Sequence, residues 1–499
     1  MPTDPLIRSF AALVADARDR ATATGRPVLV SASEEIPSRD PLTALEAAEA
    51  VGGADAELAE LVQAGRMVWA HPRADLTLAG FGAAATIAPS GVDRFAQADA
   101  AWRALLADAL TDDANASAPA TGPLLTGGFS FAVEGPHSPA WQGFPSTHLI
   151  VPALRVTSTA GATVLTLSTL VQRDGTSSVS VDALARLRMA LLAAPARLTV
   201  DAGDGGGRLR FASVRPTADW RAVVREAVAE IGRGAMDKVV LARAVRAATP
   251  NAVGIPALLD HLRATYHNAY VFAYWRGERA FVGASPERLV SLTGGVVDAS
   301  SLAGSARRGA TVKEDAALAA GLMSSGKDRA EHALVRGALR TALGQFCDDV
   351  TSRDEPSLLT LPNVHHLYTA VRGRLRAGHS LLELAGVLHP TPAVGGDPRE
   401  PALRFIREHE QLDRGWYAGP IGWIGREDGE LAVALRSALV GESEAILFAG
   451  CGIVAGSDPD RELAESEVKL RAMESALAAV AGEAPTEPVA RVPAHHARR

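Results

Sequence analysis

Residues 450–469 read GCGIVAGSDPDRELAESEVK. The stretch begins glycine-rich, passes through Ser457-Asp458-Pro459 and then turns helical. Asp458 or Ser457 suits the helix cap, Pro459 suits its first turn, and acids gather where the helix dipole favours them. Glu462 and Glu465 are three residues apart and Lys469 is four further on, so all three share one helical face. Alone, such a face is more often a solvated ladder of ion pairs than a metal site. The glycine turn before it shifts the balance, because bare backbone N–H groups beside clustered carboxylates suit an anion and a cation held together. Such a site needs a second half.

The segment GKDRAEHALVRGALRTALGQF (326–346) supplies one. It reads as a helix in which Asp328 and Glu331 repeat the spacing of Glu462 and Glu465. Two helices with paired acids can clamp one hard cation through oxygens alone.

Upstream, ADWRAVVREAVAEIGRG reads as an amphipathic helix stopped by glycine, and MDKVVLARAVRAAT (236–249) as a strand. Lys238, Val240 and Ala242 face one side of that strand, and Val239, Leu241 and Arg243 the other. A lysine at a strand start is usually a solvated edge residue; in an apolar pocket it becomes a candidate general base. Residues 270–274 and 279–282 read as paired strands ending in Gly283-Ala284-Ser285-Pro286-Glu287. At a cleft edge Glu287 would be a general acid with a raised pKa. SLAGSARRG (301–309), which contains Gly304 and Ser305, reads as a small-residue surface loop able to bind an anion. His365 and His366 have no partner cysteines and so make no zinc site; one is a hydrogen-bond donor and the other structural. LHPTPAVGG (388–396) is a rigid loop with small side chains, and RGWYAGPIGW (414–423) gathers aromatics and glycines. LAVALRSALV (431–440) reads as one apolar strand with Arg436 embedded, an arginine that requires a carboxylate from protein or ligand.

The first two hundred residues read as strands and helices without catalytic spacing. Strands are expected near 26–36, 67–72 and 77–88, a helix over 92–110, an exposed loop over 111–122, a hairpin about Ala160-Gly161 and a helix over 181–193. DAGDGGG (201–207) is the best linker, and residues 482–499 read as a disordered tail.

Composition sets outer limits. A chain of 499 residues with 47% apolar and 21% charged residues is an ordinary globular protein, either several domains or one large α/β unit. A net charge of -7 leaves no basic footprint for nucleic acid or anionic membranes. Two cysteines exclude a disulfide framework and fit a reducing cytosol. Neither a signal pattern nor a spanning apolar run is present, so a cytoplasmic location is expected.

Together KVVLAR, GASPERL, LAGSARRG, SGKDRAEH, NVHHLYT, LHPTPAVGG, RGWYAGPIGW and GCGIV…SDPDRELAESEVK, in that order, resemble the chorismate-utilising enzymes (the anthranilate synthase component I-like family). The match covers roughly residues 212–480, and GGFSFAV and LIVPAL resemble the family's more variable N-terminal half, here 1–205. Each piece is weak, but the set is specific. HPTPAVGG points to the isochorismate synthase branch. The resemblance implies one large α/β (α+β) domain, two β-sheets stacked face to face with helices outside and the site in a cleft. It also implies magnesium-dependent hydroxyl transposition: water adds at C2 of chorismate as the C4 hydroxyl leaves, and the product feeds menaquinone or siderophore synthesis. By resemblance Lys238 is the base and Glu287 the acid. Glu331 and Glu465 look like the magnesium ligands, supported by Asp328 and Glu462. Gly304, Ser305, His366, Ala393, Tyr417, Arg436, Gly450 and Lys469 resemble substrate-binding positions. Cys451 stands where the family commonly has alanine and would bring an oxidisable thiol near the site.

Three other readings were weighed. Aminating relatives need a glutaminase partner and usually lack the lysine at 238, so no such subunit is expected. Salicylate synthases commonly carry threonine where this chain has Ala393. A non-catalytic chorismate-binding protein would have no need of the full polar set.

Overall fold

Tyr270–Arg276 and Thr147–Val151 are buried along nearly their whole length, on both faces. A strand buried on both faces has to be covered twice, and a second sheet backed by helices does this. In the computed structural model, which describes residues 4–53, 55–113, 119–195, 209–249, 251–362 and 364–482, two sheets stack in this way. Among these residues one sheet has 13 strands and the other 10. They meet through side chains such as His148 and Tyr274, whose Nδ1 and hydroxyl are 2.7 Å apart. Arg66–His71 pairs with Tyr270–Arg276 in the larger sheet, and Leu125–Phe129 with Pro420–Ile424 in the smaller. Both halves of the chain therefore build both sheets, as one domain.

Several local expectations match the structure. The hairpin about Ala160-Gly161 joins Leu154–Ser158 to Thr163–Val171, and helices form over Val181–Ala193 and Thr217–Gly232. Helix Pro459–Val480 has Pro459 in its first turn, and the Asp458 carboxylate accepts from the N–H groups of Asp460 and Arg461. The linker at 201–207, residues 483–499 of the tail and Asn363 lie outside the described residues.

Four expectations are corrected. Residues 111–122 are not simply an exposed loop: Leu110–Asp112 adds a parallel strand to Val28–Ile36, and Ala120 is buried with its carbonyl bonded by Arg155. SLAGSARRG is strand, the end of Val296–Arg307, with a bulge between Ala303 and Ser305. Its small side chains lie under helix Gly326–Leu343, where Gly304 (φ 80°) takes a left-handed backbone. A Cβ at Gly304 would stand 3.0 Å from the Asp328 Cβ. Gly450 and Gly452 belong to strand Glu444–Val454, not to a turn. LAVALRSALV is two strands, Gly429–Val433 in the smaller sheet and Ser437–Val440 in the larger, with Arg436 at the crossover in a left-handed conformation (φ 48°).

A second crossover lies beside it. Arg279–Ser285 belongs to the larger sheet and Arg288–Thr293 to the smaller, so Glu287 also sits where the chain passes between sheets. The two crossovers are bonded together. Ser285 Oγ donates to the Val433 carbonyl (2.5 Å), Val433 N–H to the Glu287 carbonyl (3.0 Å) and Ala284 N–H to the Arg436 carbonyl (3.1 Å). This places a buried acid and a buried arginine at the rim of one inter-sheet cleft.

Candidate active site

All of the substrate, acid–base and metal residues named above line this one cleft, which is partly open to solvent. Strand Lys238–Ala248 forms one wall. Lys238 is 1% exposed, so it is not the usual solvated edge lysine; nor is its pocket apolar, because its Nζ lies 2.7 Å from Glu331 Oε1. This pair crosses Gly452, where a Cβ would meet Glu331 Oε1 at 2.7 Å and Lys238 Cε at 2.9 Å. Burial raises the pKa of Glu331, but the ammonium groups of Lys238, Lys469 and Lys327 together outweigh it and hold the carboxyl below its usual range.

Glu287 is 3% exposed, and burial pushes its carboxyl up to about 8 against the opposing pull of Lys238, Arg436 and Lys469. It therefore keeps its proton at neutral pH, as a general acid must.

The two acid pairs converge from separate helices. Asp328 and Glu331 project from Gly326–Leu343, and Glu462 and Glu465 from Pro459–Val480. Burial raises the carboxyls of Asp328 and Glu462, and the neighbouring glutamates raise them further. Three ammonium groups answer this charge. Lys238 holds Glu331, Lys469 holds Glu465 at 2.7 Å and Lys327 reaches Glu462 at 3.4 Å. With Glu331 and Glu465 each turned to a lysine, no three metal-ligating side chains among the described residues stand close enough to share an ion. The donor set itself, four carboxylates facing one space, is that of a hard divalent cation.

Arg436 is buried and, among the described residues, has no carboxylate within ion-pair distance; its Nη2 donates to His366 Nε2 at 3.1 Å. A guanidinium can only donate, so His366 Nε2 is the unprotonated nitrogen. Its Nδ1–H then faces Ser305 Oγ at 3.0 Å. Burial, and then Arg436, hold His366 well below its usual pKa, so it is neutral. His365 is the structural neighbour, bonded to Thr360 and Asp315. Lys469 Nζ also donates to the Gly450 carbonyl at 2.9 Å. Burial pushes the Tyr417 hydroxyl up to about 12, so it remains a donor. Arg307 and Arg308 pair with Glu314 and Asp315 and do not enter the cleft.

Cys451 is near the site, as expected, among Lys469, Glu465, Glu462 and Arg436, but it does not line the cleft. Gly450 and Gly452 face the cleft, so Cys451 faces the opposite side, where its Sγ meets the Glu462 carbonyl and burial raises its pKa far above normal. It is a packing residue with little thiolate character. Gly452, Lys327 and Arg414 are among the cleft residues that escaped the sequence reading. The Gly-Cys-Gly alternation signalled Gly452, and Lys327 opens the acid-pair helix. Arg414 gave no local signal.

A family model described as "Chorismate binding enzyme" matches residues 15–478. The chain belongs to this family of chorismate-binding enzymes, and it is an enzyme. It is 39% identical to the "Salicylate biosynthesis isochorismate synthase" of Pseudomonas aeruginosa, over 93% of each chain. It is also 34% identical to the isochorismate synthase MenF of Bacillus subtilis, over 94% of this chain and 98% of that one. The menaquinone-specific isochorismate synthase of Escherichia coli has the same fold, with a TM-score of 0.71 over 93% of this chain and 99% of the other, at 24% identity. No described helix is long and apolar enough to cross a membrane.

Proposed function

We propose that the enzyme is an isochorismate synthase, which adds water at C2 of chorismate as the C4 hydroxyl leaves. The observation that carries this reading is Glu287, a carboxylic acid that stays protonated near neutral pH in the same cleft as the Lys238 amine. In this reading Lys238, which acts once its ammonium has given up a proton, takes a proton from the attacking water and Glu287 gives one to the departing hydroxyl, so the reaction is a net isomerisation. Arg436, the Tyr417 hydroxyl and the Gly450 backbone hold the enolpyruvyl carboxylate, for which Arg436 has its charge free of any described carboxylate. His366, kept neutral, lies on the side of the ring carboxylate, with Gly304 and Ser305 completing that wall.

Glu331 and Glu465 would hold magnesium, with Asp328 and Glu462 in support; the ion, when bound, supplies charge neutralisation and orientation at the ring carboxylate. Chelator is expected to abolish turnover and added magnesium to restore it. Glu465→Gln should raise the magnesium needed for half-maximal rate by roughly 10-fold or more while the fold persists. Full turnover in excess chelator would remove the metal from the reaction.

Product identity tests the function itself. Chromatography should show isochorismate as the main product, formed without a glutaminase subunit. Losing pyruvate in a second step requires the enolpyruvyl group to bend over the ring, a pose that a β-branched hydroxyl favours and the methyl of Ala393 leaves unconstrained. Ala393→Thr should therefore raise pyruvate release relative to the parent, read with lactate dehydrogenase. Stoichiometric pyruvate from the parent enzyme would make it a salicylate synthase instead.

A further inference from the structure

Strand Lys238–Ala248 is paired along its full length on one side by Glu444–Val454. On its other side, Gly396–Asp397 pairs with residues 238–239 and Arg210–Ser213 with residues 245–248, which leaves the middle without a strand partner. Backbone groups buried there need partners of another kind. Val240 N–H donates to the Gly395 carbonyl, Trp220 Nε1 donates to the Ala242 carbonyl and Val214 N–H to the Ala244 carbonyl. Two further groups are taken by one buried ion pair. Arg414 Nη2 donates to the Val240 carbonyl at 2.7 Å, and Ala242 N–H donates to Glu410 Oε2 at 2.7 Å.

Glu410 and Arg414 are joined by two bonds of 2.6 Å, and their side chains are 1% and 3% exposed. Glu410 ends a π-helical turn, Ile406–Glu410, an irregularity that often marks functional sites. Arg414 also donates through Nη1 to the Val394 carbonyl at 2.9 Å, stacks 4.2 Å over Phe131 and accepts the Tyr417 N–H on its own carbonyl at 2.9 Å. The Arg414 guanidinium thus ties the strand of Lys238 to the loop of Ala393, and its backbone carbonyl ties in the turn of Tyr417 at the cleft wall.

We infer that Arg414, held by Glu410, is a positioning pair for the reaction: it replaces the missing strand and sets the Lys238 strand against the substrate loop. The inference rests on the isochorismate synthase reading. Val240 is two residues from Lys238 on the same strand face, so a shift at the Arg414 bond is passed directly to the amine. Displacement of a reacting group by about 1 Å can cost on the order of 10²-fold in rate.

The test uses Arg414→Lys, which keeps the charge but loses the planar fork, and Glu410→Gln, which keeps an acceptor but loses the charge. Rates are measured per folded chain with chorismate and magnesium. Each variant should lose about 10-fold or more in kcat with KM within about threefold, and the double variant should fall no further than the worse single. If only one variant folds, its kcat and KM decide the matter. A kcat within twofold of the parent in a folded variant overturns the inference, as does a loss that falls on KM instead. So does failure of both variants to fold, which would make the pair a purely structural element. Absence of turnover in the parent would overturn the isochorismate synthase reading instead.

Discussion

Lys238→Ala is expected to lower kcat for chorismate by roughly 10²–10⁴-fold, the range for loss of a general base, with chorismate binding better preserved than turnover. The argument is positional. Lys238 is 1% exposed, lines the cleft and faces no carboxylate assigned to substrate. Among the described residues its one ion-pair partner is Glu331. Removing the lysine leaves that largely buried glutamate without its partner, so a stability loss accompanies the rate loss. It should amount to about 3 kcal/mol at most, because Glu331 opens into the cleft. The pH dependence separates the two effects. The folded carboxyl of Glu331 sits below its usual range, so the pair's stabilisation is complete above the unfolded pKa and fades as pH falls through the folded value. In Lys238→Ala that acid-side dependence should flatten, which denaturant melts between pH 3 and 7 will show. Near-normal kcat in the folded variant would remove the lysine from the mechanism.

Glu287→Gln is expected to lose roughly 10²-fold or more in kcat and yet to become the more stable protein at alkaline pH. In the parent the carboxyl ionises only at about 8 because burial penalises its charge. Between its unfolded pKa and 8 the native state therefore binds more protons than the unfolded chain, and stability falls as pH rises through that window. Glutamine cannot ionise, so the variant should escape the loss, and its melting temperature should exceed the parent's increasingly from about pH 6 to pH 9. Activity of the parent should fall as pH rises past about 8, where the acid loses its proton. A parent pH profile with no alkaline limb, together with an active Glu287→Gln variant, would take the acid role from this residue.

Much of this chemistry was legible in the chain. Asp328 with Glu331, and Glu462 with Glu465, could be placed on shared helical faces because three-residue spacing is a local property of any α-helix. Asp458 and Pro459 marked the helix start for the same reason, and strand alternation put Lys238 and Val240 on one face. The order of the weak motifs carried the family resemblance, and the family match runs further, from residue 15 to 478.

Tertiary structure decided whatever depends on partners distant in sequence. SLAGSARRG has the composition of a loop and is a strand, because its small side chains fit beneath the helix that carries Asp328. Arg436 looked embedded in one strand; the chain changes sheets there, and periodicity cannot show which sheet a strand joins. Cys451 is close to the site residues, but the pairing of its strand turns Gly450 and Gly452 to the cleft and the thiol away from it. The union of Glu410 and Arg414 with Val240, Ala242 and Val394 spans more than 170 residues at its widest, and no local pattern announces it. By itself, then, the sequence determined which side chains share a helix or strand face, since that follows from short-range backbone geometry. Only the packed sheets decided which faces meet, which lysine answers which carboxylate and what holds the base strand in place, since those follow from burial and hydrogen bonding between segments far apart in the chain.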